Sequence, residues 1–483
     1  MSAPGRFEGV RAVVMGLGLF GGGLGAAKYL IRHGARVTVT DLRSRGELAE
    51  SVAALDGLDV SWRLGGHARK DFASAELVVV NPAVHPGNEH VEAARAAGAR
   101  IATEAELVIE RVREAGGRIL AVTGSKGKST TTAMLGCIMR EHESATLVGG
   151  NIGGSLLDEI DSAAPGASAV MELSSYQLHY LGQRGVSPDV AVVTRLSPDH
   201  LDWHGGVEAY YRAKEEILRH QTVRGVGVVN ADDETSRRLL RVGPGRKLVF
   251  SLNSWPRRLG GGVSNPRGPA LRDGAYLADG WLVLAGGMST VSIAPSDALR
   301  VPGQHNVANA LAAAAAAFAA GVPRELISRG LRAFRGLPDR MEPVASVGGV
   351  RYINDSIATT PDSAAASLSA LDGTLILIAG GRDKGLDLAP LLAVARERVR
   401  AVILTGDARE RFERAFAEGA PLVERHRAGG VAEAVRTAAA LARPGEAVIL
   451  SPACASFDEF RNYRDRSAAF RRAVGELTGT AGG

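Results

Sequence analysis

Ile119-Leu120-Ala121-Val122-Thr123-Gly124-Ser125-Lys126-Gly127-Lys128-Ser129-Thr130 decides the fold class of this chain. An apolar run closes on Thr123, a glycine-bracketed turn follows, and a helical pattern begins after it. A short buried strand that feeds a helix through such a turn is the building unit of a parallel α/β sheet. The turn ends in Gly-Lys-Ser, the close of a phosphate-binding loop, although the first glycine of the usual GxxxxGK[ST] spacing falls at Val122, inside the strand. In such a loop the backbone N–H groups of Gly124, Ser125, Lys126 and Gly127 cradle phosphate oxygens. Lys128 then reaches the β and γ oxygens, and Ser129, followed by Thr130, supplies a hydroxyl to Mg²⁺. ATP with Mg²⁺ is the ligand this stretch implies.

Outward from this loop the strand pattern repeats. Segments 11–15, 36–40, 77–80, 169–172, 190–194 and 225–230 are short, rich in β-branched residues and end on polar or turn residues. A second series, at 351–354, 374–379, 401–405 and 447–450, begins after residue 340. The fold class expected is α/β, built from parallel sheets. At roughly 150 residues per domain the length predicts three domains. Boundaries are placed just before each fresh strand series, giving 1–107, 108–336 and 337–483. The stretch 252–300, rich in Gly, Pro, Asn and Arg, predicts a small antiparallel excursion or loop region rather than a domain.

Composition narrows the classes. Hydrophobic residues at 45% and charged residues at 23% are ordinary globular usage. The 60 glycines exceed the norm without a G-X-Y repeat, which removes collagen. Charge is nearly balanced, +5 net, with no block of like charges to serve as a nucleic-acid tail. Cys137 and Cys454 stand far apart, which argues against a disulfide framework or a structural zinc site. No leader pattern opens the chain, and the Ala-rich stretch near 307–320 contains Asn309 and reads as a small-residue helix. A soluble cytoplasmic protein without membrane insertion or nucleic-acid partner is expected.

Two further glycine loops sit at strand ends. Val13 to Gly21 carries GxGxxG, and Asp41 follows at the end of the next strand, as a dinucleotide fingerprint requires. By itself this suits a nicotinamide dehydrogenase or a tight turn that binds nothing. Gly380-Gly381-Arg382-Asp383-Lys384-Gly385 is equally compatible with a polar turn and a ligand loop. Polar clusters close other strands: Asn151 in GGNIGG, Glu172 and Ser174 in ELSSYQL, and Asp199-His200 in SPDHLDWHG. Glu172 is a hard oxygen ligand suited to Mg²⁺ beside Ser129. His200 is an unusual Mg²⁺ ligand and, on chemistry alone, a structural histidine. Lys214, beside Glu215 on a helix, is by the same standard a solvated surface lysine.

GSKGKSTTT, GGNIGG, ELSSYQL, SPDHLDWHG, PGQHNVANAL, LPDRME, NDSIATTPDS, GGRDKG and SPACASFDEFRNY occur in this order along the chain. The set resembles the Mur ligases of peptidoglycan precursor synthesis, most closely the branch that adds glutamate to UDP-N-acetylmuramoyl-L-alanine. The resemblance spans all of the chain except 252–300. It implies a Rossmann-like UDP-binding domain, a central ATPase domain and a C-terminal Rossmann-like domain that receives the amino acid. It also reassigns the first glycine loop to the uridine nucleotide of the substrate instead of NAD.

Residue by residue, the resemblance implies that Asp41 and Arg43 meet the uracil, with Leu19 and Phe20 beneath the diphosphate. Asn151 and Ser174 contact the acceptor. Lys128, Ser129 and Thr130 hold phosphate, Glu172 and His200 ligate magnesium, and Lys214 carries a carbamate. Asn306 and Asn309 lie on the adenine side, while Arg340 and Asp355 reach the nucleotide from the C-terminal domain. Thr359, Lys384, Ser456 and Tyr463 hold the incoming glutamate. The activity implied is carboxylate activation by ATP through an acyl phosphate, followed by amide formation, in a monomer. Lys128, His200, Lys214 and Arg340 are the residues expected to carry the chemistry. D-glutamate is expected over L-glutamate. The chain departs from the family pattern NDSKATN at Ile357, has an unusual Lys126 in the phosphate loop, and carries Tyr463 where an aromatic without a hydroxyl is common.

Overall fold

The structure is a computed structural model that describes residues 5–17, 22–253, 273–287, 289–301 and 303–479. Among these residues the strands form three sheets, and the chain divides into two compact units. One unit holds Met1–Arg300 and Gln304–Phe334, the other Val301–Gly303 and Arg335–Gly483.

In the first unit, β1 (Arg11–Met15), β2 (Arg36–Asp41), β3 (Val60–Leu64), β4 (Leu77–Val80) and β5 (Arg100–Ala102) make a parallel sheet in the order β3-β2-β1-β4-β5. Alternation assigns its two faces. Ala12, Val14, Leu77 and Val79 join one apolar cluster, while Val13, Met15, Val78 and Val80 join another. A sheet buried on both faces needs such continuous apolar strands, and these residues supply them.

The second sheet continues the same unit. It comprises β6 (Ile119–Thr123), β7 (Leu147–Gly150), β8 (Ala169–Glu172), β9 (Val190–Val193), β10 (Val226–Asn230), β11 (Arg246–Ser251), β12 (Gly274–Ala278), β13 (Trp281–Gly286) and β14 (Ser289–Pro295). Their order is β14-β13-β12-β11-β10-β9-β6-β8-β7. Strands β6 to β11 run parallel to their neighbours, while β12, β13 and β14 are paired antiparallel. The stretch expected as an excursion is therefore, where described, an extension of the central sheet. The helix Glu104–Glu114 leads from the first sheet to the second, and its Leu107, Val108, Ile109 and Val112 belong to a core shared by both. The Ala-rich helix Gln304–Ala319 is buried along most of its length against the strands of this sheet, as small side chains permit.

The second unit is built on β15 (Glu342–Val347), β16 (Val350–Asn354), β17 (Leu375–Gly380), β18 (Val399–Thr405), β19 (Glu424–Arg427) and β20 (Ala447–Leu450). The order is β15-β16-β20-β17-β18-β19, with only β15 and β16 antiparallel. Leu375, Leu377 and Ile449 face one core, and Ile376, Ile378 and Val448 the other. In each sheet the parallel strands point one way, so their carboxyl ends gather the loops that hold ligands in such folds.

Strands β3, β5, β7, β11, β15 and β19 lack a run of four apolar residues and escape the pattern reading. Five of them stand at sheet edges: β3 and β5, β7, and β15 and β19. There one side is solvated and the burial pattern alternates or vanishes.

Candidate active site

The phosphate loop is held open by its glycines. Gly124 and Gly127 take φ of +150° and +87°, a region that favours glycine. A Cβ on Gly124 would lie 1.9 Å from Thr194 Oγ1, and one on Gly127 2.5 Å from Asn309 Oδ1. The loop is stitched to the segment after β9. Ser125 N donates to Arg195 O at 2.7 Å, Ser125 Oγ donates to Ser197 O at 2.6 Å, and Thr194 Oγ1 donates to Lys126 O at 2.6 Å. Ser125 Oγ also meets Tyr210 Oη at 2.8 Å.

Lys128, Ser129 and Thr130 open the helix Lys128–His142, and Lys128 Nζ folds back to donate to Ser125 O at 3.2 Å. Asn309 accepts from Thr131 Oγ1 and donates to Asn306 Oδ1, each at 3.3 Å. Of the two asparagines expected on the adenine side, Asn309 thus sits against the loop and Asn306 beside Asn309.

Glu172 ends β8, whose register sets it opposite Val122 of β6. It is buried, and Asn151 Nδ2 donates to its Oε1 at 2.9 Å. Its Oε2 is buried without a hydrogen-bond partner. An unpaired anionic oxygen in that position fits a hard divalent cation, which restores what desolvation removes. Ser174 is the N-cap of the helix Ser175–Gln183, where its hydroxyl and the Gln177 side chain form a capping box.

His200 adopts a left-handed conformation (φ +49°), with its ring 5.0 Å from that of Tyr176 and Nε2 3.6 Å from Asp199 Oδ2. Among the described residues no three His, Cys, Asp or Glu side chains form a ready metal cluster. Glu172 and His200 are therefore not gathered with a third such ligand.

Lys214 overturns the reading of a solvated helix lysine. It lies on the helix Val207–Arg219, is 2% exposed, and donates to Gly124 O at 2.9 Å and Thr123 Oγ1 at 3.3 Å. Burial, aided by the nearby Lys128 ammonium, holds its pKa well below the usual lysine range. The neighbouring Glu215 pairs instead with Arg219 at 2.7 Å.

Pattern reading also missed a cluster around Trp203. Its ring lies 4.8 Å from Tyr176, 5.4 Å from His85 and His179, and 4.6 Å from His204. Trp203 Nε1 donates to Ala83 O at 3.0 Å, and Tyr180 Oη to Val84 O at 2.8 Å. The loop after β4 is thereby tied to the segment that carries His200. The only sequence signal was the aromatic and imidazole density of SSYQLHY and HLDWH.

In the first sheet, Gly16 takes φ +86°, and Asp41 is buried with both oxygens engaged. Leu17 N donates to its Oδ2 and Arg43 N to its Oδ1, each at 2.9 Å. Asp41 thus fastens the glycine loop to the loop carrying the exposed Arg43. Leu19 and Phe20 lie outside the described residues. Glu104, which no motif marked, is half-buried below this loop, accepts from Ser155 Oγ, and has its carboxyl pushed up by desolvation.

In the second unit, Arg340 is exposed between Asp339 and Met341, both at positive φ (+65° and +46°). Asp355 is buried, accepting from Met341 N at 3.2 Å and Ser451 Oγ at 2.9 Å, and burial pushes its carboxyl up to about 6. Lys384 Nζ reaches Thr359 O and Oγ1 at 3.2 and 3.3 Å, which unites two of the expected glutamate contacts. Ser456 is buried, and Tyr463 O accepts from Ser356 Oγ at 2.7 Å.

Arg466 was not foreseen. It is buried and donates to Ser356 Oγ, Ser356 O, Cys454 O and Ala455 O at 2.9–3.2 Å. Burial lowers its pKa to about 10. Arg466 braces the 354–360 loop against the 453–456 loop.

Three family models match the chain: "Mur ligase MurD-like, N-terminal domain" over residues 10–103, "Mur ligase middle domain" over 122–265 and "Mur ligase, glutamate ligase domain" over 339–454. The UDP-N-acetylmuramoylalanine--D-glutamate ligase of Roseiflexus sp. (strain RS-1) is 41% identical, over 98% of this chain and 100% of that one. The chain belongs to the Mur ligase family. The protein of the same name from Symbiobacterium thermophilum is 38% identical to this Mur ligase, over 97% of this chain and 98% of its own. Among solved structures, the UDP-N-acetylmuramate-alanine ligase MurC of Thermotoga maritima matches with a TM-score of 0.59 at 18% identity, covering 98% of this chain and 100% of that one. MurF of Acinetobacter baumannii matches with a TM-score of 0.56 at 19% identity, covering 96% and 93%. At those identities the two structures speak for the fold of this Mur ligase alone. No helix among its described residues is long and apolar enough to cross a membrane.

Proposed function

We propose that this chain joins D-glutamate to the L-alanyl carboxylate of UDP-N-acetylmuramoyl-L-alanine, with hydrolysis of ATP to ADP and phosphate, in peptidoglycan precursor synthesis. The observation that carries this reading is the Gly124–Thr130 loop with Glu172 and buried Lys214 at its mouth, in a chain matched end to end by relatives named as D-glutamate ligases. Residues 1–107 take the UDP substrate, 108–336 take ATP and 337–483 take the amino acid. The enzyme is a monomer and works in the cytoplasm.

The acceptor carboxylate attacks the γ-phosphorus, giving an acyl phosphate and ADP. The glutamate amine then attacks that carbonyl, and phosphate leaves. Two anions meet in the first step, so positioned positive charge is the main requirement. Lys128 and the loop amides hold the β and γ phosphates, Asn306 and Asn309 the adenine, and Arg340 and Asp355 the nucleotide from the C-terminal segment. Asp41, Arg43, Leu19, Phe20, Asn151 and Ser174 orient the UDP substrate. Thr359, Lys384, Ser456 and Tyr463 receive glutamate, with Arg466 keeping their loops in place.

Ser129, Glu172, His200 and Lys214 as a carbamate would hold Mg²⁺, and the unpaired Oε2 of Glu172 supports that assignment. Mg²⁺ supplies charge neutralisation at the phosphates when bound. A neutral lysine amine is the form that takes up CO₂, and the burial of Lys214 favours that form.

The test is ATP-dependent phosphate release with UDP-N-acetylmuramoyl-L-alanine and each pure glutamate enantiomer. Release with D-glutamate and little with L-glutamate is expected. Ile357 and Tyr463, the departures from the family pattern, favour L-glutamate as the second reading. Preference for the L enantiomer would establish that reading, and silence with every UDP-muramyl acceptor would remove the ligase assignment.

A further inference from the structure

Lys126 and Arg195 oppose each other across an isolated antiparallel bridge between the phosphate loop and the segment after β9. The bridge uses neither the Lys126 nor the Arg195 side chain: Ser125 N donates to Arg195 O at 2.7 Å and Thr194 Oγ1 donates to Lys126 O at 2.6 Å. Residues directly opposed in an antiparallel pair project their side chains to the same side, with Cβ atoms about 5 Å apart. Both residues are exposed. Among the described residues, neither side chain has a carboxylate within ion-pair distance. Like charges so opposed destabilise the pairing unless an anion lies between them. The main chain nevertheless fixes the two cations side by side, two residues before Lys128 on one strand of the bridge.

The charge pattern of the sequence points the same way. The phosphate loop carries Lys126 in addition to Lys128. Two cations thus stand on the loop itself. Arg195 adds another.

We propose that Lys126 and Arg195 act as a pair that binds the polyphosphate of ATP. Arg195 thereby becomes a nucleotide-binding residue that the loop motif does not mark. The inference rests on the ligase reading for the identity of the nucleotide, and guanidinium–phosphate bonds of the charge-assisted kind supply the affinity.

The test compares Arg195→Ala, Lys126→Ala, their double variant and Arg195→Lys with the parent enzyme. Equilibrium binding of ATP and of AMP is measured without acceptor or glutamate, at low and high salt, together with the KM of each substrate. Each alanine variant is expected to weaken ATP binding by about tenfold, with AMP affected far less, because charge-assisted contacts to the distal phosphates are what is removed. The double variant shows a shallower salt dependence of ATP binding, Arg195→Lys recovers most of the loss, and thermal midpoints stay at the parent value because neither side chain holds the bridge. ATP binding by the double variant within about twofold of the parent at both salt concentrations, where surface charge should matter most at low salt, overturns the proposal. A rise in acceptor KM with ATP binding unchanged overturns it equally. An enzyme that turns over no UDP-muramyl acceptor, yet loses ATP affinity in these variants, would sink the ligase reading and leave the cation pair standing.

Discussion

Lys214 shows how burial changes a side chain's chemistry. An amine 2% exposed, facing a carbonyl and a threonine hydroxyl, gains little from charge and much from neutrality. Lys214→Ala should be nearly inactive, and a short carboxylate in solution should restore part of the phosphate release. Failure of every small carboxylate to rescue would count against the carbamate. Lys128→Ala removes the proposed phosphate contact of a half-buried side chain, so turnover should vanish while circular dichroism and thermal midpoint hold. Near-normal phosphate release in that variant would refute the loop assignment.

Asp355 carries a pH signature. Its carboxyl is raised from 3.8 to about 6, so the folded state holds this proton more tightly than the unfolded chain does. The associated stability is present in full below 3.8 and is lost as pH climbs through about 6. At neutral pH the ionised form costs on the order of 2–3 kcal/mol. Asp355→Asn should therefore raise the thermal midpoint more at about pH 7.5 than at about pH 4.5, the window in which the proton leaves. A pH-independent difference would contradict it.

Motif order marked Lys128, Glu172 and Lys384 without help from coordinates. The burial of Lys214 and the brace made by Arg466 were not legible, because each depends on contacts distant in sequence, whereas the Ser174–Gln177 cap is a local contact.

At the scale of elements, the central parallel strands were legible because both faces are apolar, as in Ile376-Leu377-Ile378 of β17. Edge strands such as β3, with alternating burial, and β19, with none of its residues apolar, offered no such run. Loop geometry yields sharper tests. Gly124→Ala places a Cβ 1.9 Å from Thr194 Oγ1 at φ +150°, so ATP binding should be lost and the thermal midpoint should fall. A variant that binds ATP normally would mean the loop relaxes freely.

Trp203→Phe keeps the ring contacts but deletes the bond to Ala83 O. Loss of about 1 kcal/mol in chemical denaturation is expected. The KM of the UDP acceptor should rise more than that of ATP, since the tethered loop belongs to the first sheet. Equal changes in both would show that the tether serves stability alone.

The whole molecule is two compact units, each with its own buried core. Calorimetry should resolve two transitions, and saturating UDP-N-acetylmuramoyl-L-alanine should move only the one belonging to Met1–Arg300 with Gln304–Phe334. A single transition with matching calorimetric and van't Hoff enthalpies would show that the units unfold together.

The outer strands have a consequence for crowded solution. An open sheet exposes unpaired N–H and C=O groups that can recruit a strand from another copy, the first step toward fibres and precipitates. Here β5 has three residues, β7 finishes in two glycines, β15 carries Pro343 and a bulge, and β19 is Glu-Arg-His-Arg. Short length, missing donors, a local kink and solvated charge each spoil the template for intermolecular stitching. Those four edges are therefore poor templates for zipping copies of this chain together.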